Sequence, residues 1–279
     1  MPTVVKKRKL NVEALSDGLS LPGPEDVNQV PDDFAAYSKL IFGPKGCGKT
    51  TLASKFPDSI VFMWEFGRVN LPIRQIPRRN EDPLNWSRFR SYVDLVLDDD
   101  SVKTPVIDTV DLAYLACMDY TCRQAGVQKP SDLGRDSADL WNAIRDEFAV
   151  PWKLLTLGGK PPLFISHDRN QEIVSRLGGK FDQIVPTCTP ACWRYLEQTC
   201  DFVFYLGRKG NRRILTVRGD EVITASAQAE GHFLTPDGKE IQALDLGTRP
   251  NGLYEKIINA FNNKETGFEL NPYADNSND

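Results

Sequence analysis

The run GPKGCGKTT, Gly43 to Thr51, constrains this chain more than any other stretch. It fits the spacing G-x-x-x-x-G-K-[ST] at Gly43, Gly48, Lys49 and Thr50. An apolar run, YSKLIF, precedes it, and a helix-forming run, KTTLASKF, follows until Pro57 stops it. Gly43, Gly46 and Gly48 let the backbone turn until several N–H groups face one anion. Helix entry at Lys49 and Thr50 adds the positive end of a dipole. Lys49 is then placed to reach β- and γ-phosphates and Thr50 to ligate Mg²⁺. Pro44, Lys45, Cys47 and Thr51 complete the cradle. The reading is a nucleoside triphosphate site, with ATP and Mg²⁺ as the expected occupants.

The surroundings of the loop define the fold class. The runs SIVFMWEF, TPVIDTV and PPLFISHDR read as buried strands, and NWSRFRSYVDLVLDDD and DLAYLACMDYTCRQAG as helices. SADLWNAIRDEFAVPWKLLTL reads as a helix bent or broken at Pro151. Strands alternating with helices predict an α/β fold with a mainly parallel sheet flanked by helices on both faces. DFVFYLGRKGNRRILTVR adds a C-terminal β-hairpin turning at Lys209–Asn211, and GLYEKIINAFNN a last short helix. Residues 1–33 read as a flexible tail, 34–225 as the core, and 226–279 as a small C-terminal extension with an acidic tail.

With 279 residues, 41% hydrophobic and 26% charged, the chain has room for one large domain. The formal charge of −4 excludes coating of nucleic acid by sheer positive charge, though not a local basic groove. No apolar run approaches the roughly 18 residues of a membrane span. The basic cluster Lys6–Lys9 has no apolar segment after it, so no membrane and a cytoplasmic setting are expected. The six cysteines form no C-x-x-C pair and are expected to be reduced structural thiols.

A phosphate loop needs acids and a sensor at neighbouring strand ends. Asp108, directly after the apolar VI of VIDTV, is the candidate for the Mg²⁺ shell, the alternative being a turn or helix-cap residue. Asp111 competes for the metal shell, but reads better as the cap of the helix that follows. Glu65 closes IVFMWE and is the candidate base or water-orienting group beyond the γ-phosphate. His167 closes LFISH, either sensing the γ-phosphate or serving as a structural histidine.

This order of parts resembles the RecA-like branch of P-loop ATPases. It is similar in particular to a compact phage family of RecA-like single-strand annealing proteins, on GPKGCGKT, VIDT and FISH, over about residues 37–218. Where that branch usually has Gln as sensor, this chain has His167. The resemblance implies an ATPase that binds single-stranded DNA and forms a homo-oligomer, filament or ring. DNA would lie against the region Gly126–Asp136, with Lys129 and Arg135, and the region Asp168–Pro190, with Arg169, Arg176, Lys180 and Phe181. It also implies a basic residue supplied in trans, for which Arg208, Lys209, Arg212 and Arg213 are candidates. The acidic tail is either a solubilising end or a contact for a single-strand-binding protein. Two alternatives stay open. One is a small-molecule or nucleotide kinase with a lid carrying Arg68, Arg74, Arg78 and Arg79. The other is a non-catalytic ATP switch or loader.

Overall fold

The computed structural model describes residues 30–65, 71–78, 80–174 and 179–264, together with Gly23 and Glu25. The basic arm Lys6–Lys9, the acidic C-terminal end, Arg68, Arg79, Arg176 and Gly178 lie outside the described residues. Everything below belongs to the unit Pro31–Asp279.

The chain runs through β1 (Lys39–Phe42), α1 (Lys49–Ala53), β2 (Ser59–Met63), β3 (Gln75–Ile76), α2 (Trp86–Asp98), β4 (Thr104–Asp108) and α3 (Val110–Gln124). It continues through α4 (Ser137–Leu157), β5 (Leu163–Ser166), β6 (Asp168–Val174), β7 (Lys180–Pro186), α5 (Pro190–Thr199), β8 (Phe202–Lys209) and β9 (Arg212–Thr216). It closes with β10 (Ser226–Ala227), β11 (Ala243–Gly247) and α6 (Leu253–Phe261).

One sheet organises all of this, in the order β11-β9-β8-β1-β5-β4-β2-β3, with β10 paired to β8. From β8 to β3 the pairing is parallel; β9, β10 and β11 are antiparallel. Strands β1, β4 and β5 are buried along their whole length. That is why they read as unbroken apolar runs rather than as alternating ones. Alternate residues still serve different cores. Leu40, Phe42, Phe62 and Phe164 pack with the apolar faces of α2, α3, α4 and α5. Ile41, Val61, Ile165 and Phe204 pack on the other side with Leu52 of α1 and Leu253, Ile257 and Phe261 of α6. The expected parallel sheet with helices on both faces is what forms.

Local signals explain most of the elements. Asn85 caps α2 by accepting from Arg88 N at 2.9 Å. Trp86, Phe89, Val93 and Val96 then bury one face of α2 at helical spacing. Thr189 caps α5, with Pro190 in its first turn. The expected break at Pro151 does not occur: α4 runs unbroken through it, because Phe148, Ala149, Trp152 and Leu155 around it are all buried. Packing outweighs the lost backbone hydrogen bond.

Two further expectations are corrected. The stretch after His167 is no open loop but an antiparallel pair, β6 with β7, in register from Asp168↔Pro186 to Val174↔Lys180. The segment beyond residue 225 is no appendage either. β10 and β11 hydrogen-bond into the main sheet, and α6 closes its core. Arg218 binds this segment to β9, donating to Phe233 O, Ile241 O and His232 O at 3.0–3.3 Å.

Lys39, at the start of β1, is buried, and among the described residues no carboxylate is in ion-pair contact with it. It donates to Tyr37 O and lies 4.6 Å from the centre of the Phe34 ring. Burial pushes its ammonium down to about 7. The folded value lies below the unfolded one, so folding carries the full cost of the buried charge below pH 7. That cost fades as pH rises toward 10.5. Lys39→Met is therefore expected to stabilise the fold at pH 6 by about 1–4 kcal/mol. The gain should shrink at pH 8 and nearly vanish at pH 10 in thermal melts. A gain that ignored pH would assign the effect to packing alone.

Candidate nucleotide site

Every predicted site residue lies at the C-terminal end of the parallel strands, where α/β sheets bind ligands. The phosphate loop leaves β1 beside β8. Phe42 pairs with Tyr205, which brings Leu206 against Gly43; a Cβ at Gly43 would stand 2.2 Å from Leu206 O. Gly48, at φ 104°, backs onto the Arg213 guanidinium, whose Nε would lie 2.9 Å from an added Cβ. These two glycines are demanded by close approach as much as by backbone angle. Helix α1 is only five residues long. Its dipole is therefore a smaller contributor than the sequence suggested, and the loop amides with Lys49 carry more of the anion affinity. Lys45 and Gly46 are exposed, while Cys47 turns inward, its thiol pushed up chiefly by burial. The side chain of Cys47 thus serves the core, and only its backbone serves the cradle.

Lys49 is buried, and among the described residues its ammonium finds neutral acceptors. It donates to Gly43 O at 2.6 Å and Pro44 O at 3.0 Å, and it lies 3.3 Å from Nδ1 of His167. The other ring nitrogen, Nε2, is 2.7 Å from Glu65 Oε1. These partners assign the tautomer. Nδ1 accepts from the ammonium, so Nε2–H donates to the carboxylate. Lys49, His167 and Glu65 form one continuous relay. Glu65 itself lies two residues beyond β2, not at its end. Trp64 N donates to Asp108 O at 2.7 Å and holds that extension against β4.

Beside the relay, Thr50 Oγ1 donates to Asp108 Oδ2 at 2.6 Å. Asp108 is 4% exposed, and burial raises its carboxyl above the usual range, opposed by the Thr50 hydrogen bond. The alternative of a turn or cap residue does not describe it, since it is the last residue of a wholly buried strand. Among the described residues one hydroxyl, that of Thr50, donates to this buried carboxylate, which leaves it room for a cation. Hard oxygen donors on Thr50 and Asp108 match what Mg²⁺ takes from proteins, one or two ligands with the remainder from phosphate and water. Among the described residues no cluster of three or more His, Cys, Asp or Glu competes as a metal site.

Asp111 does not cap α3. Thr109 occupies the cap position of α3 without a side-chain bond, and Asp111 Oδ1 instead accepts from Ser166 Oγ at 2.8 Å and Thr187 Oγ1 at 3.0 Å. With Thr187 N donating to His167 O at 2.9 Å, this network ties both feet of the β6–β7 hairpin to β5 and α3. Sequence reading missed it, because the partners lie 55 and 76 positions apart. The basic residues of the β8–β9 turn were expected to serve a neighbouring subunit. Arg208 Nη2 donates to Gly46 O at 3.3 Å within the same chain. Arg213 donates to Thr248 O at 2.7 Å, and Arg212 pairs with Asp245. Of the two expected DNA regions, the first is a tight 3-10 segment, Pro130–Asp136, with Asp132 accepting from Gln128 N and Lys129 N. In the second, Lys180 is paired with Glu172 at 2.8 Å.

Strand order and site together define a P-loop ATPase of RecA-like architecture. The strand that ends in His167, β5, is inserted between the loop strand β1 and the acid strand β4. Residues 35–227 match the family model described as "AAA domain", and the chain belongs to that family. No curated protein matches the sequence. Among solved structures, the KaiC-like protein PH0186 from the hyperthermophilic archaeon Pyrococcus horikoshii OT3 is similar at a TM-score of 0.42 and 13% identity. That similarity covers 77% of this chain and 87% of the other. The assignment rests on the strand order and the family match.

A raised carboxyl makes a testable statement about Asp108. Its ionised form costs stability at neutral pH, and the cost disappears as pH falls through the folded value toward 3.8. Asp108→Asn is expected to raise the Tm by a few degrees at pH 7, less at pH 5, while removing the Mg²⁺-dependent part of nucleotide binding. A lowered Tm at pH 7 would mean that the Thr50–Asp108 bond outweighs desolvation.

Proposed function

We propose that this protein is a Mg²⁺-dependent ATPase whose turnover is controlled by single-stranded DNA, working as a homo-oligomer, filament or ring, in recombination of the phage type. The observation that carries the ATPase reading is the relay from Lys49 through His167 to Glu65, standing beside the Thr50–Asp108 pair.

The chemistry follows from what each group gives up. Lys49 exchanges two loop carbonyls and the His167 Nδ1 for β- and γ-phosphate oxygens, a charge-assisted contact roughly twice as strong as a neutral hydrogen bond. His167 Nδ1 then loses its donor, and the ring that holds Glu65 is free to turn. Glu65 is the group positioned to orient a water and accept its proton as the water oxygen attacks the γ-phosphorus and the bond to the bridging oxygen breaks. Thr50 and Asp108 would hold Mg²⁺, which would supply neutralisation of the charge that develops on the phosphate oxygens.

The DNA reading draws on the motif order described above and on the hairpin. Asp168, the first residue of β6, directly follows His167, so a turn of that ring acts at the hairpin's foot. Near its far end Phe181 pairs across from Ile173, and Val174 is 63% exposed. These are surfaces for stacking bases. The described strands carry two cations, Arg169 and Lys180, against three acids, Asp168, Glu172 and Asp182. Binding through this hairpin would thus depend more on rings than on counterion release, with a shallow salt dependence.

One observation favours a second reading, phosphoryl transfer to a small acceptor. A cavity of about 890 Å³ opens beside Glu65, lined among the described residues by Met63, Trp64, Leu71, Arg74, Arg78 and Tyr92, among others. Steady-state ATP hydrolysis with and without single-stranded DNA separates the readings. The expected result is stimulation by DNA, with Lys49→Ala lowering turnover at least about 100-fold. Glu65→Gln should keep ATP binding while losing about 100-fold or more in turnover. ATP consumption that ignores DNA but requires a small hydroxyl acceptor would move the assignment to a kinase. Unchanged turnover in Lys49→Ala would remove the site assignment altogether.

A further inference from the structure

The four basic residues around the β8–β9 turn do not stand alike. Arg212 pairs with Asp245, which is 3% exposed, and Arg213 donates to Thr248 O at 2.7 Å. Both are thereby committed to the β11 side of their own chain. Arg213 also packs its Nε against Gly48, where that atom is buried without an acceptor. It is a wall of the loop with no reach to spare. Lys209 pairs with Arg212 across the turn. Arg208 differs. It is exposed, and its one described hydrogen bond is the long 3.3 Å contact from Nη2 to Gly46 O, the middle of the phosphate loop.

Register puts Arg208 there. β8 runs parallel to β1, with Tyr205 beside Phe42 and Leu206 against Gly43, so the chain two residues further on arrives over the loop's centre. β1 has β8 on one side and β5 on the other. Glu65, Asp108 and His167 all come from the β5 side, where the γ-phosphate must lie for Glu65 to meet an attacking water. Arg208 comes from the opposite flank. A guanidinium on that flank faces the α- and β-phosphates, where negative charge accumulates as the leaving group departs.

We infer that Arg208 is a phosphate-contacting residue acting in cis, exchanging Gly46 O for the α/β-phosphate oxygens of the nucleotide held by its own chain. This rests on the ATPase reading, and it replaces the expectation that the turn serves a neighbouring subunit. A charged oxygen is a better partner for a guanidinium than a carbonyl at 3.3 Å. The contact costs the fold little, because the side chain is already exposed.

The test compares Arg208→Ala and Arg208→Lys with the wild-type full chain, using fluorescent ATP and ADP analogues for affinity and steady-state hydrolysis for turnover. Arg208→Ala is expected to weaken both nucleotides together, since ATP and ADP share the α- and β-phosphates. It should lower turnover about 10–100-fold with an unchanged Tm, and Arg208→Lys should recover part of both. The cis assignment is read from mixing Arg208→Ala with Lys49→Ala. Each mixed site then lacks one cation or the other, and activity should not exceed the sum of the separate variants. Recovery on mixing would place Arg208 at a neighbour's nucleotide and overturn the inference. Unchanged affinity and turnover in Arg208→Ala, with Lys49→Ala inactive, would overturn it while leaving the ATPase reading intact. A wild-type chain that binds no nucleotide would remove both.

Discussion

A buried ammonium held by neutral acceptors governs this structure. Lys49 is 6% exposed and rests on two backbone carbonyls and a neutral imidazole. Taking such a charge out of water costs several kcal/mol unless an anion compensates it. The loop supplies none, although Asp108 stands close enough to feel the charge. The neutral His167 ring in turn donates to Glu65, one step further along. The site is a positive charge built into the protein ahead of its counterion, and a triphosphate is the ligand that completes it.

The sheet order makes this possible. Were β1 and β4 neighbours, the loop lysine and the acid Asp108 would face each other with nothing between. With β5 inserted, His167 emerges between the two and reaches both the ammonium and Glu65. The same insertion leads directly into the β6–β7 hairpin, whose two feet are held by Asp111 through Ser166 and Thr187. Nucleotide and hairpin are thus joined through one residue, His167. On the other flank, β8 carries Arg208 and β9 the wall residue Arg213 to the loop. Those strands are steadied by the C-terminal segment through Arg212–Asp245 and the Arg218 carbonyl contacts.

Much of this was legible in the chain itself. The loop, its strand and the acid Asp108 follow from local patterns, because buried parallel strands leave continuous apolar runs and the anion cradle needs glycines at fixed offsets. Glu65 and His167 were readable as strand-end polar residues, but their pairing was not, since 102 positions separate them. The β6–β7 pair was hidden for a different reason. One face, Arg169, Gln171, Ile173 against Val185, Gln183, Phe181, is half polar and the other mostly so, and no period-two apolar signal stands out. Pro151 does not break α4, because helix propensity is weak against a buried aromatic cluster. The contacts of the turn arginines within their own chain were not legible, because an exposed basic turn has the same appearance whether it serves its own chain or another.

In the proposed cycle, nucleotide binding takes the Lys49 ammonium away from His167. The chain has only two histidines, and the structure gives them opposite tautomers. His167 keeps its proton on Nε2 for Glu65, whereas Nδ1 of His232 lies 3.0 Å from the carbonyl of Phe261 and must donate to it. Nitrogen NMR of protein labelled at histidine therefore shows two distinguishable rings. Adding Mg²⁺ with a non-hydrolysable ATP analogue is predicted to shift both ring nitrogens of His167, Nδ1 the more strongly, and to leave His232 in place. Nucleotide that binds while the His167 resonances stay unmoved would contradict the relay.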